Sequence, residues 1–270
     1  MGILNITPDS FYEGSRVNLK KDILQKTEQM ILEGVDILDV GAYSTRPNAQ
    51  EISVREELNR AIPAIEVIVE KYPETIISID TFRSEVAEKA ISAGASIIND
   101  VSGGELDSKM FEIVARLQVP YILMHSRGNP QTMTQLTQYE NIINELLDYF
   151  IFKIQQLQSL GVKDIIIDLG FGFAKNIEQN FFLLHNQSKF KILGMPILTG
   201  ISRKSMIYKT LKTTPNDALN GTSALNMIAL QQSADILRVH DVKQAREVIT
   251  LWRSVLEKSN LEQFTQSFHN

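Results

Sequence analysis

The segment IISIDTFRSEVAEKAISAGASIIND, residues 76–100, joins two short apolar runs through a stretch with helical periodicity. The runs Ile76–Asp80 and Ser96–Asp100 are rich in isoleucine, and each ends in an aspartate. A strand buried on both faces is continuously apolar in this way, whereas a half-exposed strand alternates. The segment therefore predicts one strand–helix–strand unit of a parallel sheet.

The same unit recurs along the chain, with helical periodicity between successive apolar runs. The eight predicted strands are Ile3–Ile6, Asp36–Val40, Ile76–Asp80, Ser96–Asp100, Tyr121–Met124, Asp164–Asp168, Ile197–Gly200 and Ile236–Val239. Eight strands separated by helices indicate a closed βα barrel. An open doubly wound sheet is the alternative, but it predicts a glycine-rich turn after the first strand. Residues 7–11 read TPDSF there, which favours the barrel.

Length and composition fit a single domain. The chain has 270 residues, and α/β barrels of about 250 residues commonly form one core. Hydrophobic residues make up 43% of the chain, which is enough to fill a barrel and its outer layer. We expect an α/β fold, a single (βα)8 TIM barrel over residues 1–257, and a polar C-terminal tail over residues 258–270.

Charge and residue usage exclude several classes of protein. The net charge of −5 argues against broad nucleic-acid or anionic-membrane binding, because phosphate groups need a basic face. The absence of cysteine excludes disulfides, zinc–thiolate sites and thiol nucleophiles. No apolar run reaches the roughly 18 residues of a membrane helix, and no basic-then-apolar leader opens the sequence. We expect a cytoplasmic protein with small-molecule partners, no nucleic-acid partner and no membrane partner.

Polar residues collect where the predicted strands end. They are Asn5, Asp39, Asp80, Asn99, Asp100, His125, Asp168, Lys204, Arg238 and His240. A barrel brings all of its strand ends to one rim, where barrel enzymes carry their catalytic groups. A single aspartate such as Asp80 or Asp168 is equally well explained as a helix cap or a turn residue. Their recurrence favours ligands or partners for the set, because burying unpaired carboxylates is costly.

A basic corner is predicted where strands seven and eight end. Residues 200–205 lead into a helix, where free backbone N–H groups and Lys204 can hold a phosphate or a carboxylate. A solvated helix start is the alternative for Lys204. Arg238 and His240 end strand eight, in the usual phosphate-binding region of barrels. Closely spaced histidine pairs are absent, so a histidine-ligated metal is not expected, whereas Asn5 together with substrate phosphates would suit magnesium.

The middle of the rim offers a possible ring site. Met124 and Phe173 are either core residues or the two faces of a clamp around a flat heterocycle. Asp80, Asn99 and Asp168 would suit the edge of an amino-pyrimidinone ring, since a carboxylate accepts two parallel N–H bonds. The residues alone thus predict a barrel that binds a polyphosphate, with a hydrogen-bonding ring as a further hypothesis.

Short motifs then carry a resemblance to a known family. Residues 1–11 read MGILNITPDSF, residues 44–47 read STRP, and residues 202–205 read SRKS. The motifs IDT at 79–81, INDV at 98–101, MH at 124–125, DLGFGF at 168–173 and RVHD at 238–241 complete the series. In this order, each at a strand end, they resemble the dihydropteroate synthases, pterin-binding enzymes of folate biosynthesis that sulfonamides inhibit. The resemblance covers essentially the whole chain.

The resemblance implies a magnesium-dependent alkyl transfer. A transferase of this family condenses 6-hydroxymethyl-7,8-dihydropterin pyrophosphate with p-aminobenzoate, giving 7,8-dihydropteroate and pyrophosphate. The implied cofactor is Mg²⁺, and the implied assembly is a homodimer formed through the later outer helices.

The resemblance also implies roles for particular residues of this chain. The implied catalytic residues are Glu13, Thr45, Arg46, Lys204 and Arg238. The pterin would be held by Asp80, Asn99, Met124, Asp168, Phe173 and Lys204. The pyrophosphate would be held by Asn5, Thr45, Arg238 and His240, and the metal by Asn5. The p-aminobenzoate would be held by Phe11, Pro47 and Ser205.

Some positions depart from the family pattern, and two alternatives stay open. The departures are Glu13 for Asp, Tyr43 for Glu, Asn48 for Gly, Leu169 for Pro and Ala174 for Gly. One alternative is a corrinoid-linked, pterin-dependent methyltransferase, which would need neither TPDSF, nor STRP, nor the lysine of SRKS. The other is a non-catalytic pterin-binding paralogue, which should have lost a diphosphate or loop residue. Those residues, Asn5, Arg46, Lys204, Arg238 and His240, are all present.

Overall fold

The computed structural model describes residues 1–6, 16–43, 51–129 and 131–259, with the backbone alone for 16–19 and 258–259. Eight strands run through these residues. They are β1 (Gly2–Asn5), β2 (Ile37–Gly41), β3 (Ile76–Asp80), β4 (Ile97–Asp100), β5 (Tyr121–Met124), β6 (Ile165–Asp168), β7 (Ile197–Thr199) and β8 (Ile236–Leu237).

Helices separate the strands. The α-helices of the described residues are α1 (Arg16–Leu32), α2 (Val54–Lys71), α3 (Ser84–Ser92), α4 (Met110–Leu117), α5 (Ile142–Ser159), α6 (Ile177–His185), α7 (Ser205–Thr210), α8 (Leu219–Gln231) and α9 (Val242–Ser259). Short 3₁₀ helices cover Met133–Gln135, Gln187–Leu193 and Pro215–Asp217. The segment between β7 and β8 therefore carries two α-helices rather than one.

The sheet is parallel and closes on itself. Each strand pairs with its neighbours in chain order, from β1 to β8. An isolated parallel bridge joins Gly2 to Val239, with Ile3 N donating to Val239 O at 2.9 Å and Val239 N donating to Met1 O at 2.9 Å. These contacts link β8 back to β1, so the predicted barrel is confirmed and the open doubly wound sheet is wrong.

Alternation along the strands sorts the polar residues between two environments. Neighbouring residues of a strand point to opposite faces. On β4, Asn99 reaches the carboxylate of Asp39 at 3.1 Å, whereas Asp100 accepts hydrogen bonds from Tyr121 Oη, at 2.7 Å, and from the backbone of Ser102 and Gly104. Asp100 therefore stabilises the loop after β4, and Asn99 belongs to the barrel interior.

The predicted strand bounds agree with the structure to within two residues. The seventh and eighth strands are shorter than predicted, because Gly200 and Val239 lie beyond the regular ladder. In the described part of the chain, no helix is long and apolar enough to cross a membrane. Helix α9 is described as far as Ser259, so a separate tail from residue 258 stays a prediction.

Candidate active site

A buried ion-pair network crosses the rim of the barrel. Arg238, just after β8, donates from Nε to Asp39 at 2.6 Å and from Nη2 to Asp80 at 2.5 Å. Asp39 also accepts from Asn99 Nδ2 at 3.1 Å. Residues of β2, β3 and β4 and of the segment after β8 thus form one network, which spans the line where β8 closes onto β1. Asp39 is completely buried, and its charge is balanced by the guanidinium rather than by water.

Strand register places these groups side by side. Asp80 pairs in register with Gly41 on one side and with Asn99 on the other. Gly41 leaves space at this point: a Cβ built on it would lie 3.6 Å from Asn5 Oδ1 and 3.7 Å from Asp80 Oδ2. The end of β1 therefore brings Asn5 close to the same spot, as the sequence predicted.

Asp168 and Lys204 complete the middle of the rim. A Cβ built on Gly200 would lie 3.8 Å from Arg238 Cβ and 4.0 Å from Asp168 Oδ2, so the β6 and β8 ends converge here. Asp168 Oδ1 accepts from Gly170 N at 2.8 Å. The Lys204 ammonium donates to Phe171 O and lies 4.9 Å from the centre of the Phe173 ring. The structure therefore brings the predicted ring-binding acids and Lys204 to one place.

The two predicted clamp residues differ in exposure. Met124 ends β5 and is buried, and its carbonyl accepts from Tyr149 Oη at 3.0 Å. Phe173 is only half-buried, whereas Phe171 two residues earlier is fully buried in the core. Phe173 is partly exposed and lies next to the Lys204 ammonium, which makes it a rim residue rather than a core residue.

Side chains secure the two loops at the predicted anion corner. Ser202 Oγ and His240 Nδ1 lie 3.0 Å apart, and His240 N donates to Ser202 Oγ at 3.2 Å. Arg203 binds both carboxylate oxygens of Asp241, at 2.8 and 2.9 Å, and also the carbonyls of Pro215 and Asn216. Arg203 is thus a structural residue. Ser205 begins α7 beside this corner.

Burial shifts the proton affinities of the rim groups. Burial raises the pKa of Asp80 to about 7 against the effect of Arg238, and raises the pKa of Asp168 against the effect of Lys204. Burial lowers the pKa of Lys204 to about 8 although Asp168 opposes it. Burial also opposes the charge of Arg238, but Asp39 and Asp80 outweigh it and raise its pKa. Clustered, shifted groups of this kind are typical of functional sites.

The donor set limits which metal the site can bind. Among the described residues, no cluster of three histidine, aspartate or glutamate side chains could hold a metal ion. The Asn5 amide oxygen, close to Asp80, is a hard donor of the type that Mg²⁺ accepts. Mg²⁺ commonly takes one or two protein ligands and fills its octahedron with water and substrate phosphates. The residues present therefore fit a magnesium ion that arrives with a diphosphate.

Five predicted site residues lie outside the described part of the chain: Phe11, Glu13, Thr45, Arg46 and Pro47. Asp39 was predicted only as a polar residue near a strand end, without a role. Lys175 had no predicted role, and it is a buried residue of the β6–α6 loop. A cavity of about 510 Å³ opens beside His125 and Arg127, and its lining includes none of Asp80, Asn99 and Asp168.

Known proteins share both the sequence and the fold. A family model described as "Pterin binding enzyme" matches residues 1–240. A dihydropteroate synthase of Synechocystis sp. is 42% identical, covering 94% of this chain and 90% of that protein. A Yersinia pestis dihydropteroate synthase solved with a sulfonamide drug superposes with a TM-score of 0.89 at 34% identity, over 95% of this chain and 93% of that one.

A second solved structure, a Xanthomonas albilineans dihydropteroate synthase with 4-aminobenzoic acid, superposes with a TM-score of 0.88 at 36% identity. The alignment covers 94% of this chain and 92% of that one. These findings confirm the resemblance drawn from the motifs at the strand ends. The chain, with its acids and cations gathered at one rim of a βα barrel, belongs to the pterin-binding enzyme family.

Proposed function

We propose that this chain is a dihydropteroate synthase of folate biosynthesis, joining a dihydropterin methyl pyrophosphate to p-aminobenzoate. The observation that carries the proposal is the gathering of Asp80, Asn99 and Asp168 beside Lys204 and Arg238 at the strand ends. Relatives that match almost the whole chain bear this name, and one structure similar to it holds 4-aminobenzoic acid.

The acids provide the recognition of the pterin ring. The carboxylates of Asp80 and Asp168 and the amide of Asn99 are buried. The edge of an amino-pyrimidinone ring carries neighbouring N–H groups, and a carboxylate can accept two parallel hydrogen bonds from them. Lys204 supplies a donor at the other edge of the ring, and Phe173 an apolar face. The arrangement selects a ring with several donors, because a ligand lacking them would displace water from these carboxylates and offer no N–H bond in return.

The diphosphate belongs at the cation-lined corner. Arg238, His240 and Asn5 lie at the ends of β8 and β1, next to the ring site. Asn5 would hold a magnesium ion together with diphosphate oxygens, and such an ion supplies positive charge that stabilises the leaving group. The pKa of Arg238 is raised by the neighbouring aspartates, so the guanidinium stays charged. It can therefore balance the negative charge that develops on the departing diphosphate.

The reaction needs positioning more than a protein nucleophile. The carbon–oxygen bond of the pterin methyl group breaks, and the diphosphate leaves with the electron pair. The pterin ring can spread the resulting positive charge, which allows the bond to break by an ionising path. The aniline nitrogen then forms the new bond and loses one proton. Proximity of the two substrates supplies much of the rate. Ser205, Phe11 and Pro47 would place the p-aminobenzoate, and Glu13, Thr45 and Arg46 would act from the first two loops.

Pyrophosphate release that depends on the aniline tests the proposal. Purified protein with the dihydropterin pyrophosphate, p-aminobenzoate and Mg²⁺ should release one pyrophosphate for each dihydropteroate formed. Excess chelator should abolish turnover. Lys204→Ala should lower kcat/KM at least about a hundredfold if it removes a charged ring contact worth some 3 kcal/mol. Lys209→Ala, an exposed lysine of α7, should keep normal turnover.

The same assay separates the alternatives. Tight binding of pterin without pyrophosphate release would favour a non-catalytic pterin-binding protein. Methyl transfer from a methylated pterin to a corrinoid, with no use of p-aminobenzoate, would favour the methyltransferase. Near-normal turnover of Lys204→Ala, or full turnover in chelator, would contradict the assigned roles of Lys204 and Mg²⁺.

A homodimer and a cytoplasmic location complete the proposal. Helices α6, α7 and α8 pack against one another, and exposed apolar side chains lie in α6 (Phe182), directly after α7 (Leu211) and in α8 (Ile228). Exposed apolar side chains on adjacent outer helices favour a subunit interface. The cytoplasmic location rests on the sequence alone.

A further inference from the structure

Lys175 is a buried cation that the proposed reaction does not use. It lies at the end of the β6–α6 loop and is 7% exposed. Its ammonium contacts three groups, namely Gly170 O at 3.1 Å, Phe173 O at 3.0 Å and His125 Nδ1 at 3.0 Å. An ammonium has three N–H bonds. If His125 is neutral with its proton on Nε2, the three acceptors satisfy the lysine completely.

The loop bound by Lys175 has an unusual backbone. Gly170, Gly172 and Ala174 all have positive φ, at 69°, 80° and 49°. A Cβ on Gly170 would lie 1.9 Å from His125 O, so the loop packs directly against the end of β5. With this backbone conformation, carbonyl groups of the loop point inward and form no sheet or helix hydrogen bonds. Buried carbonyls need hydrogen-bond donors. Lys175 donates to two of them, and one of the two, Gly170 O, also accepts from Phe173 N at 3.0 Å.

The same loop aims the groups proposed to bind the pterin ring. Gly170 N holds the Asp168 carboxylate, and Phe171 O accepts from the Lys204 ammonium. The Phe173 ring lies beneath that ammonium. Lys175 therefore binds the carbonyls of residues 170 and 173, on either side of the Lys204 acceptor. A shift of this loop would move all three ring contacts together.

Electrostatics agree with this geometry. Burial lowers the pKa of Lys175 to about 7, while Asp168 acts to raise it, and Lys204 and Arg127 act to lower it. Burial, with Lys175 and Arg127, lowers the pKa of His125 well below its usual range. His125 is thus neutral and can accept from the lysine. A neutral amine would keep the same three contacts, donating to both carbonyls and accepting from a His125 Nδ1–H tautomer.

We propose that Lys175 is a positioning residue for the ring site, whose ammonium fixes the β6–α6 loop so that Asp168, Lys204 and Phe173 meet the pterin, with His125 completing its hydrogen bonds. The inference rests on the proposed function for the identity of the ring. Lys175 touches neither reacting atoms nor the predicted diphosphate corner, so its loss should weaken ring binding selectively.

Calorimetry with 6-hydroxymethylpterin tests the inference without requiring turnover. Lys175→Met keeps an unbranched apolar side chain of nearly the same length and removes the donors, and we expect at least tenfold weaker ring binding. The KM for p-aminobenzoate should change less than twofold. Lys163→Met is the matched control, because Lys163 is an exposed residue just before β6, the strand that leads into the loop of Lys175. This variant should bind the ring as the unchanged protein does.

His125 provides a second, milder test if Lys175→Met folds poorly. His125→Leu removes the acceptor of Lys175, and it should weaken ring binding in the same direction. His125→Asn can place an oxygen near the position of Nδ1, and it should restore most of the affinity. A loss of packing alone would not be rescued in this way, because Asn fills less of the space than Leu.

The outcomes separate the inference from the proposed function. Unchanged ring affinity in Lys175→Met, equal losses for both substrates, or no difference between the two His125 variants would overturn the positioning role alone. Failure of the unchanged protein to bind the pterin would overturn the ring site itself and the inference with it. Ring binding without pyrophosphate release would overturn the proposed reaction and leave the role of Lys175 standing.

Discussion

Arg238 lies between two buried aspartates, and this makes Asp39 the residue on which the rim network depends. Asp39 is fully buried and 2.6 Å from the guanidinium, and it also binds Asn99. Removing one partner of a buried pair leaves an uncompensated charge, which is far more costly than losing a surface pair. The strength of this network should therefore appear in stability as well as in ligand binding.

Asp39→Asn should lower the free energy of unfolding by about 2 kcal/mol, because the guanidinium loses one of its two carboxylate partners and keeps only Asp80. Urea unfolding measures the change. Asp36→Asn is the matched control: Asp36 precedes the same strand, binds Arg246 at 2.9 Å and has a side chain 63% exposed. It should cost less than about 1 kcal/mol. Equal losses in the two variants would show that the rim pair is not effectively buried.

Asp80 should make ring binding dependent on pH. Burial raises its pKa to about 7, so below that pH the Asp80 carboxyl of the free protein is mostly protonated. It must lose this proton before it can accept hydrogen bonds from the N–H groups of the ring. Affinity for 6-hydroxymethylpterin should fall as pH is lowered from 8 to 6, approaching about tenfold per pH unit well below the pKa. Calorimetry over this range measures the slope. Asp80→Asn should remove the part centred near pH 7, and an unchanged slope would assign the proton to another group.

At the scale of elements, the β6–α6 loop is the part of the site that depends most on backbone conformation. Its inward carbonyls are met by side chains from several places, including Tyr139, which donates to Ala174 O at 2.9 Å. Asn180 of α6 in turn accepts from Gly172 N at 2.7 Å. The loop is thus held from the adjoining loop and from the helix that follows it.

Ala174 occupies a left-handed position, with φ of 49°, a backbone conformation that favours glycine. Ala174→Gly should therefore raise the free energy of unfolding by about 1 kcal/mol, because the strain of a Cβ at this φ is removed. Ala93→Gly is the control, since Ala93 follows α3 with φ of −83° and a glycine there gains nothing. Thermal unfolding of both variants makes the comparison. A loss of stability in Ala174→Gly would mean that the methyl group packs usefully.

The elements also show what sequence reasoning can and cannot reach. The eight strands and the acids at their ends were predictable, because buried parallel strands have continuous apolar runs and a barrel brings their ends together. The partner of each acid was not predictable. Asp39 and Arg238 are separated by 199 residues, and only the closure of β8 onto β1 brings them together.

Lys175 illustrates a second limit. In the sequence it precedes a helix, where a lysine is usually solvated. Its burial follows from three left-handed residues that turn the loop inward, and no periodicity announces that winding. Strand alternation, by contrast, was available from the sequence. Because neighbouring strand residues point to opposite faces, this rule would have assigned Asn99 to the barrel interior and Asp100 to the contact with the loop after β4.

At the scale of the whole molecule, the proposed dimer should respond to a charge on the exposed face of α6–α8. Phe182 is 52% exposed on α6, and a glutamate there would be buried in the interface. Phe182→Glu should therefore dissociate a particle of twice 30.5 kDa into single chains, measured by sedimentation velocity. Phe152→Glu on α5, where Phe152 is 57% exposed, should leave the dimer intact. Dissociation by Phe152→Glu alone would place the interface elsewhere.

A crystal structure with 6-hydroxymethylpterin bound would show whether the ring lies at the strand ends, the position to which the proposed ring contacts refer. We predict electron density for the ring between Asp80, Asn99 and Asp168, with the Lys204 ammonium at its edge and Phe173 against its face. Density in the cavity of about 510 Å³ beside His125 and Arg127, with the Arg238 ion pairs undisturbed and no ring at the strand ends, would contradict this binding site.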